Sequence, residues 1–115
     1  MPEQTSRASA PALIVVLTTC PSRRVAEAIG TATVEEGLAA CANLVPGVAS
    51  IYRWEGKVCR GREILLILKT RQTRLRALTD RVRSLHPYAV PEIIALPIAG
   101  GSPPYLSWVR HSTAR

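Results

Sequence analysis

Residues 50–70, S-I-Y-R-W-E-G-K-V-C-R-G-R-E-I-L-L-I-L-K-T, decide how the rest of the chain folds. Their first half is rich in β-branched and aromatic residues, which favour strands. Residues 55–57, E-G-K, then supply a turn in which Gly56 is free to adopt a positive φ. The returning strand carries an unbroken apolar run from Ile64 to Leu68, so we expect both of its faces to be covered. The stretch therefore predicts a long β-hairpin inside a sheet.

The residues before this hairpin predict a strand followed by a helix. Residues 12–19 are almost wholly apolar, which is typical of a buried strand. Ser22 then serves as the N-cap of a helix that ends near Gly37. Spacing at i, i+3, i+4 and i+7 assigns the inner face of this helix to Val25, Ala28, Ile29 and Ala32.

The charges at the two ends of this helix oppose its dipole. Arg23 and Arg24 lie at the N-terminal end, and Glu35 and Glu36 lie at the C-terminal end. Each exposed charge of this kind costs only about 0.3–1 kcal/mol, so simple tolerance is one interpretation. The other interpretation is compensation from outside the monomer, by an anion or a neighbouring subunit.

Strand signals and breakers also flank the second helix. Residues 38–51 predict a strand interrupted by Pro46-Gly47, which calls for a bulge at a sheet edge. Residues 73–85 predict the second helix, with apolar residues at i, i+3, i+7 and i+10. Its other face, which includes Arg74, is rich in arginine and favours a solvated surface over a nucleic-acid patch.

The last part of the chain predicts a strand and a short helix. Residues 93–98 predict a strand at an edge or an end, because Pro97 cannot donate to a ladder. Ser102 and the two prolines after it cap the final helix, in which Tyr105, Trp108 and Val109 share one face.

The predicted order is β-α-β-β-α-β followed by a helix. This order is typical of an α+β ferredoxin-like sandwich, in which two helices cover one face of a four-stranded antiparallel sheet. We expect a single domain over residues 12–115 and a flexible tail over residues 1–11. Glu3 and Pro11 argue against a signal peptide in that tail, and we expect no transmembrane span.

Composition bounds the possible functions. The chain has 115 residues, of which 47% are hydrophobic and 20% are charged, as in a globular domain. The net charge of +7 favours anionic partners only weakly, because the basic residues are dispersed and mostly arginine. Three cysteines, an odd number, argue against a disulfide framework and for a reducing, cytoplasmic compartment.

Five short motifs in a fixed order resemble the CutA divalent-cation tolerance proteins over about residues 13–108. They are GLAACAN at 37–43, SIYRWEGK at 50–57, Glu63 with Lys69-Thr70, HPY at 86–88 with PEII at 91–94, and YLSW at 105–108. The resemblance implies a ferredoxin-like subunit in a tight homotrimer, with hairpins extended across subunit boundaries. It also implies tolerance of copper and other divalent metals, an architecture similar to the trimeric PII signalling proteins, and no accepted enzymatic activity. The predicted hairpin supports a trimer independently, because one sheet cannot cover an overhanging ribbon with unpaired edges.

The resemblance makes Cys41 and His86 the candidate metal ligands, and copper prefers thiolate and imidazole. A further cysteine associated with metal in parts of the family falls where this chain has Thr18, so Cys20 is the third candidate. The alternatives are a buried small hydrophobe for Cys41 and a backbone-bonded loop residue for His86. Copper or another divalent cation is the expected ligand, and none is expected to be required for folding. Cys59 is the more exposed and more reactive thiol.

A second set of residues predicts a cleft between subunits: Trp54, Glu63, Lys69, Tyr88 and Glu92. Glu63 and Lys69 face one side of the same strand but lie roughly 20 Å apart, so each needs a partner from elsewhere. One interpretation is an ordinary salt bridge at a subunit boundary, and the other is a pocket for a small anion. The PII likeness favours an anionic metabolite in such a pocket.

Three hypotheses for the function follow. The chain is a trimeric CutA-like protein that binds copper, a PII-like trimer that holds a small anion between subunits, or a purely structural trimer. We expect no enzyme, because the sequence has no GxSxG, phosphate-cradling glycine loop or paired histidines. The return strand has no aromatic residue from Ile64 to Leu68, unlike an RNA-recognition sheet, so no nucleic-acid partner is expected. No membrane partner is expected either.

Overall fold

A computed structural model describes residues 12–114, and the predicted tail at residues 1–11 lies outside the described residues. Within the described range the chain forms an α+β ferredoxin-like sandwich with an extended hairpin and a C-terminal helix, as predicted. The elements are β1 (Leu13–Cys20), α1 (Arg23–Glu35), β2 (Cys41–Trp54), β3 (Lys57–Arg71), a 3-10 turn (Gln72–Arg74), α2 (Leu75–Leu85), β4 (Ile94–Pro97) and α3 (Pro103–Ser112). No helix in this range is long and apolar enough to cross a membrane.

The sheet has the strand order β2-β3-β1-β4, and every neighbouring pair is antiparallel. The apolar strand β3 therefore lies inside the sheet, as its unbroken run of aliphatic residues predicts. The two strands that contain a proline, β2 and β4, lie at the edges, where a missing N–H breaks no ladder. The register between β2 and β3 shifts between Val45 and Val48, which confirms the predicted bulge at Pro46-Gly47.

The hairpin is much longer than the rest of the sheet. Strand β1 pairs with β3 only over residues 64–71, whereas β2 pairs with β3 as far as Trp54 and Lys57. Residues 48–54 and 57–63 thus continue alone as a two-stranded ribbon, about 20 Å long at about 3.3 Å per residue. Glu55 and Gly56 close its tip with φ values of 51° and 79°, as a two-residue hairpin turn requires.

The main core lies between the sheet and the helices α1 and α2. Even-numbered residues of β1, and those of β3 from Leu66 to Thr70, point towards these helices and are buried, as are Leu78 and Val82 on α2. The inner face predicted for α2 is confirmed, since Leu75 and Leu85 also pack against this cluster.

The predicted inner face of α1 is confirmed at Ile29 and at Val25, which packs against the main core, and is wrong at Ala28 and Ala32. The buried residues of α1 are Ala26, Ile29, Gly30 and Thr33. The spacing of aliphatic residues did not predict this face, because Gly30 and Thr33 are buried against the sheet. A Cβ on Gly30 would lie 3.2 Å from the Cβ of Ala42, so the missing side chain allows the helix to pack closely on β2. Thr33 tolerates burial because its hydroxyl donates to the Ile29 carbonyl at 2.8 Å.

Two of the opposing charges on α1 are compensated inside the chain. The Arg81 Nη2 atom on α2 lies 2.8 Å from Glu36 Oε2, and Arg23 Nε lies 2.7 Å from Glu27 Oε2. These partners come from the next helical turn and from the neighbouring helix, and both ion pairs are exposed to solvent. The N-cap is confirmed, since Ser22 Oγ accepts from the Val25 N–H at 3.2 Å.

Helix α3 packs on the opposite side of the sheet from α1 and α2. Successive strand residues alternate between faces, and Leu13 joins Val109 of α3 in a second small cluster. The end of α3 is held by Arg74, whose Nε donates to the Thr113 carbonyl at 3.1 Å. Arg74 Nη2 also reaches the Gly37 carbonyl at 3.5 Å, so the prediction of a solvated Arg74 is wrong. A cation suits this position because α1 and α3 both end there, and the last carbonyl groups of a helix have no partner within it.

Candidate functional site

The sheet face that carries α3 is apolar and mostly uncovered, and we call it the open face. Helix α3 covers only the end of this face near Leu13. Cross-strand pairing aligns the other members, of which Val45, Ile94 and Leu96 are 40%, 49% and 47% exposed. The open face consists of Val15, Leu17, Val45, Leu65, Ile67, Ile94 and Leu96.

The open face continues onto the ribbon. Tyr52 pairs with Cys59 and Trp54 pairs with Lys57, so both aromatic residues lie on the same side as Leu65 and Ile67. Tyr52 is 48% exposed and Trp54 is 47% exposed. A contiguous apolar surface of this extent is unusual for a protein that works as a monomer, and it marks an interaction surface.

A first polar cluster lies at the α3 end of the open face, and we call it the Lys69 cluster. Lys69 Nζ donates to Asn43 Oδ1 at 2.9 Å and lies 5.7 Å from the centroid of the Tyr105 ring. Cys41 pairs with Lys69 across the strands, and its thiol lies 3.5 Å from the same Asn43 oxygen. Tyr105 in turn stacks at 5.4 Å against the half-exposed Trp108. The cluster thus combines an ammonium, a thiol and aromatic rings beside an apolar surface.

A second polar cluster lies at the ribbon end of the open face, and we call it the Glu63 cluster. The Tyr88 hydroxyl donates to Glu63 Oε2 at 3.0 Å. Burial, together with this hydrogen bond and the Glu63 charge, raises the pKa of Tyr88 to about 12. The phenol therefore stays neutral as a hydrogen-bond donor. The Tyr88 ring also contacts the His86 ring, with 4.7 Å between centroids.

His86 is buried and both of its ring nitrogens are occupied. Its Nε2 lies 2.8 Å from the Thr19 carbonyl, which can only accept, so Nε2 carries the hydrogen. Its Nδ1 accepts from the Tyr88 backbone N–H at 3.2 Å. A metal ion could bind this imidazole only after one of these hydrogen bonds is broken. The arrangement matches the backbone-bonded alternative for His86.

Cys20 is also withdrawn from solvent. It lies at the end of β1 on the side of α1 and α2 and is fully buried. Burial, assisted by the nearby Glu63 charge, raises the pKa of its thiol to about 11. Metals and electrophiles react with the thiolate, so this environment disfavours Cys20 as a ligand.

The structure does not bring Cys41 and His86 of one chain together. Cys41 aligns with Lys69 and Val15, whereas His86 bonds to Thr19, which is about 13 Å further along β1 at about 3.3 Å per residue. One ion bound at ordinary metal–ligand distances of about 2.0–2.3 Å cannot span that separation. Among the described residues, no group of three or more His, Cys, Asp or Glu side chains could hold a metal ion. Residues 12–114 of a single chain therefore do not fit a resident metal ion.

The five predicted cleft residues separate into distinct places along the open face. Glu63 and Tyr88 form one pair, and Lys69 lies at the other end with Leu65 and Ile67 between. The other two, Trp54 and Glu92, lie at the ribbon tip and on the connector before β4, respectively. Within residues 12–114 the carboxylate of Glu92 makes no hydrogen bond or ion pair.

The sequence interpretation overlooked Asn43, although it lies in a quoted motif. Asn43 accepts from both Lys69 and Cys41 and is the hub of the Lys69 cluster. Its position two residues after Cys41 in a strand was the available signal, because residues i and i+2 share a face. Cys59, the third thiol, is half-buried on the ribbon beside Tyr52.

Comparison with known families identifies this arrangement. A model of the CutA1 divalent ion tolerance proteins matches residues 14–112. The chain belongs to the CutA1 family. The resemblance predicted from the five motifs is therefore confirmed.

Named relatives and a solved structure agree with this membership. The divalent-cation tolerance protein CutA of Thermus thermophilus is 56% identical over 99 residues, which cover 86% of this chain and 96% of that protein. The chloroplastic protein CutA of Arabidopsis thaliana is 53% identical over 87% of this chain, but the match covers only 55% of that longer protein. The solved CutA1 structure from T. thermophilus superposes with a TM-score of 0.87 at 54% identity and covers 89% of this chain and 99% of the other.

Proposed function

We propose that this CutA1 family member acts in divalent-cation tolerance as a homotrimer. The observation that carries the proposal is the continuous apolar surface formed by the open face and the aromatic side of the ribbon. Its relatives bear the name of divalent-cation tolerance proteins, and the function comes to this chain from them.

Self-association would stabilise two features of the isolated chain. The apolar open face needs a cover, and a lone two-stranded ribbon is at best marginally stable in water. A second and third copy would cover the open face and support the ribbon, because a ribbon that overhangs its own sheet can lie against a neighbouring subunit. Rotational symmetry closes such a contact after a fixed number of copies, and the family resemblance favours three.

A cation then needs ligands from more than one subunit. Cys41 is the accessible thiol of the Lys69 cluster, and it lies on the face that the sister chains would cover. Copper suits a thiol ligand, so copper is the first cation to test. His86 and Cys20 contribute only if their present contacts open. No ion is needed to fold the subunit, and the proposed role is binding and response without catalysis.

Native mass spectrometry combined with copper titration tests this function. We expect a trimer that binds copper, and Cys41→Ser should weaken that binding, whereas His86→Ala should not. All proteins in these titrations should carry Cys59→Ser, which removes the ribbon thiol as a source of adventitious copper binding. A monomeric protein would contradict the assembly, and unchanged affinity after Cys41→Ser would contradict the thiol ligand.

A second candidate function is the binding of a small anion at Lys69. The contact to Asn43 uses one of the three ammonium donors, and the Tyr105 ring offers a stacking surface beside it. Both features suit an anionic metabolite held between subunits, as in the PII-like hypothesis. A panel of anionic metabolites should raise the melting temperature of the wild type and should not raise that of Lys69→Met.

Localisation in the cytoplasm completes the proposal. Its support is the set of three free cysteines, which suits a reducing compartment. Cell fractionation with an antibody against the untagged protein tests it, and recovery outside the cytoplasmic fraction would contradict it.

A further inference from the structure

The side of the ribbon opposite Tyr52 and Trp54 is lined by arginine. The pairs Arg53–Val58, Ile51–Arg60 and Ala49–Arg62 place one arginine from β2 and two arginines from β3 on this side. All three arginines are exposed. Arg60 and Arg62 lie about 6.6 Å apart along one strand, and Arg53 is diagonal to Arg60 across the strands. We call this surface the arginine face.

The arginine face has no counter-charge of its own. No Asp or Glu occurs among the residues that share it, and the nearest acidic residues are Glu55 in the turn and Glu63 on the other side of the ribbon. Within residues 12–114 the three guanidinium groups make no hydrogen bond or ion pair. Three like charges repel one another, and an anion placed between them would relieve that repulsion.

The arginine face also points away from the open face. Arg62 shares its side of β3 with Leu66 and Leu68, the side that α1 and α2 cover. In the proposed trimer the aromatic side of the ribbon meets the sister chains. Burial of three unpaired guanidinium groups there would be strongly unfavourable, so the arginine face stays outward.

We propose that the arginine face binds a linear oligophosphate. Guanidinium forks pair with phosphate oxygens in a bidentate manner, and arginines spaced along a strand suit a chain of several phosphates better than one. The ribbon offers a single-stranded nucleic acid no place to stack its bases, because Tyr52 and Trp54 lie on the opposite side. Ile51 and Val58 separate the arginines and supply no hydrogen bond for a base edge.

Calorimetric titration with sodium tripolyphosphate tests the proposal on the full chain. The wild type is compared with Arg60→Gln/Arg62→Gln and with the control Arg76→Gln/Arg83→Gln. The control removes the same charge from exposed positions on α2. We expect the ribbon variant to bind about tenfold more weakly or worse, and the control to bind as the wild type does. Equal losses in both variants, or no binding by the wild type, would overturn the proposal.

Two further measurements distinguish oligophosphate binding from nucleic-acid binding and from the proposed trimer. A single-stranded oligonucleotide with the same number of phosphates should bind more weakly than tripolyphosphate, and tighter binding would overturn the choice of ligand. Native mass spectrometry of each sample reports the assembly. A monomer that binds tripolyphosphate through Arg60 and Arg62 would contradict the proposed trimer and leave the arginine face standing. A trimer that does not bind it would contradict the arginine face alone.

Discussion

The Nε2–H of His86 donates to the backbone carbonyl of Thr19 across 2.8 Å, in a position that is 7% exposed. This hydrogen bond joins the residue that ends α2 to the last residues of β1. It also makes His86 a structural residue in the isolated chain, although the family resemblance proposes it as a metal ligand.

Substitution of His86 by alanine should therefore destabilise the fold. The change removes two hydrogen bonds and leaves the Thr19 carbonyl unpaired, which should cost about 1–3 kcal/mol in the free energy of unfolding. Denaturant unfolding followed by circular dichroism measures the loss. The exposed His111 supplies the control, and a His86→Ala variant as stable as His111→Ala would contradict the structural role.

Tyr88 should make the fold sensitive to alkaline pH. Burial and the contact with Glu63 raise the pKa of Tyr88 from 10.0 to about 12 in the folded chain, so the folded state prefers the neutral phenol. That preference stabilises the fold fully below about pH 10 and is lost as the pH rises through about 12. Tyr88→Phe should remove this part of the decline, and Tyr105→Phe should not. The measurement is the free energy of unfolding across that range, and identical profiles for all three proteins would refute the assignment.

Cys20 should resist modification in the folded protein. Its thiol is fully buried, and burial raises its pKa from 9.0 to about 11, so almost no thiolate is present near neutral pH. Alkylation with iodoacetamide followed by peptide mass spectrometry should leave Cys20 unlabelled until urea unfolds the chain. Labelling of Cys20 at the rate of an unfolded peptide would show that the end of β1 opens readily.

A charge at the centre of the open face should break the proposed trimer. Ile67 lies between Leu17 and Asn43 in the pairing of the strands, so Ile67→Asp places a carboxylate where a sister chain would pack. We expect a shift to monomer in native mass spectrometry, because burial of a carboxylate in this apolar contact costs more than the nearby Lys69 would offset. Val34→Asp is the matched control, since Val34 is 40% exposed on α1 and lies away from the open face. A trimer that survives Ile67→Asp would place the subunit contact elsewhere.

Arg74 should hold α3 in place. It bonds to the Thr113 carbonyl and reaches the Gly37 carbonyl, so Arg74→Ala leaves the ends of α3 and α1 without these donors. We expect a loss of about 1–3 kcal/mol in stability, together with faster hydrogen exchange in α3. Arg76→Ala, on the exposed side of α2, should change neither quantity. Unchanged exchange in α3 after Arg74→Ala would mean that the hydrogen bonds of Arg71 and the apolar contacts of Val109 suffice to secure the helix.

The sequence predicted the hairpin, the order of the elements and the edge strands, because these features depend on local patterns. Alternation, proline positions and the turn at Gly56 each act within a few residues. The prediction failed at the inner face of α1, where Gly30 and Thr33 make the contact with the sheet. Aliphatic periodicity cannot register a contact that depends on the absence of a side chain.

The candidate sites were predictable as residues and not as groups. Glu63, Lys69 and Tyr88 were identified from motifs, yet only strand register shows that Tyr88 meets Glu63 while Lys69 meets Asn43. Register likewise separates Cys41 from His86 and gathers the ribbon arginines on one side, opposite Tyr52 and Trp54. The strands, helices and turns could be predicted from the amino-acid sequence, since each depends on residues that are near neighbours in the chain. The grouping of side chains on one surface emerges only in the folded chain, because it depends on pairing between residues that are far apart in sequence.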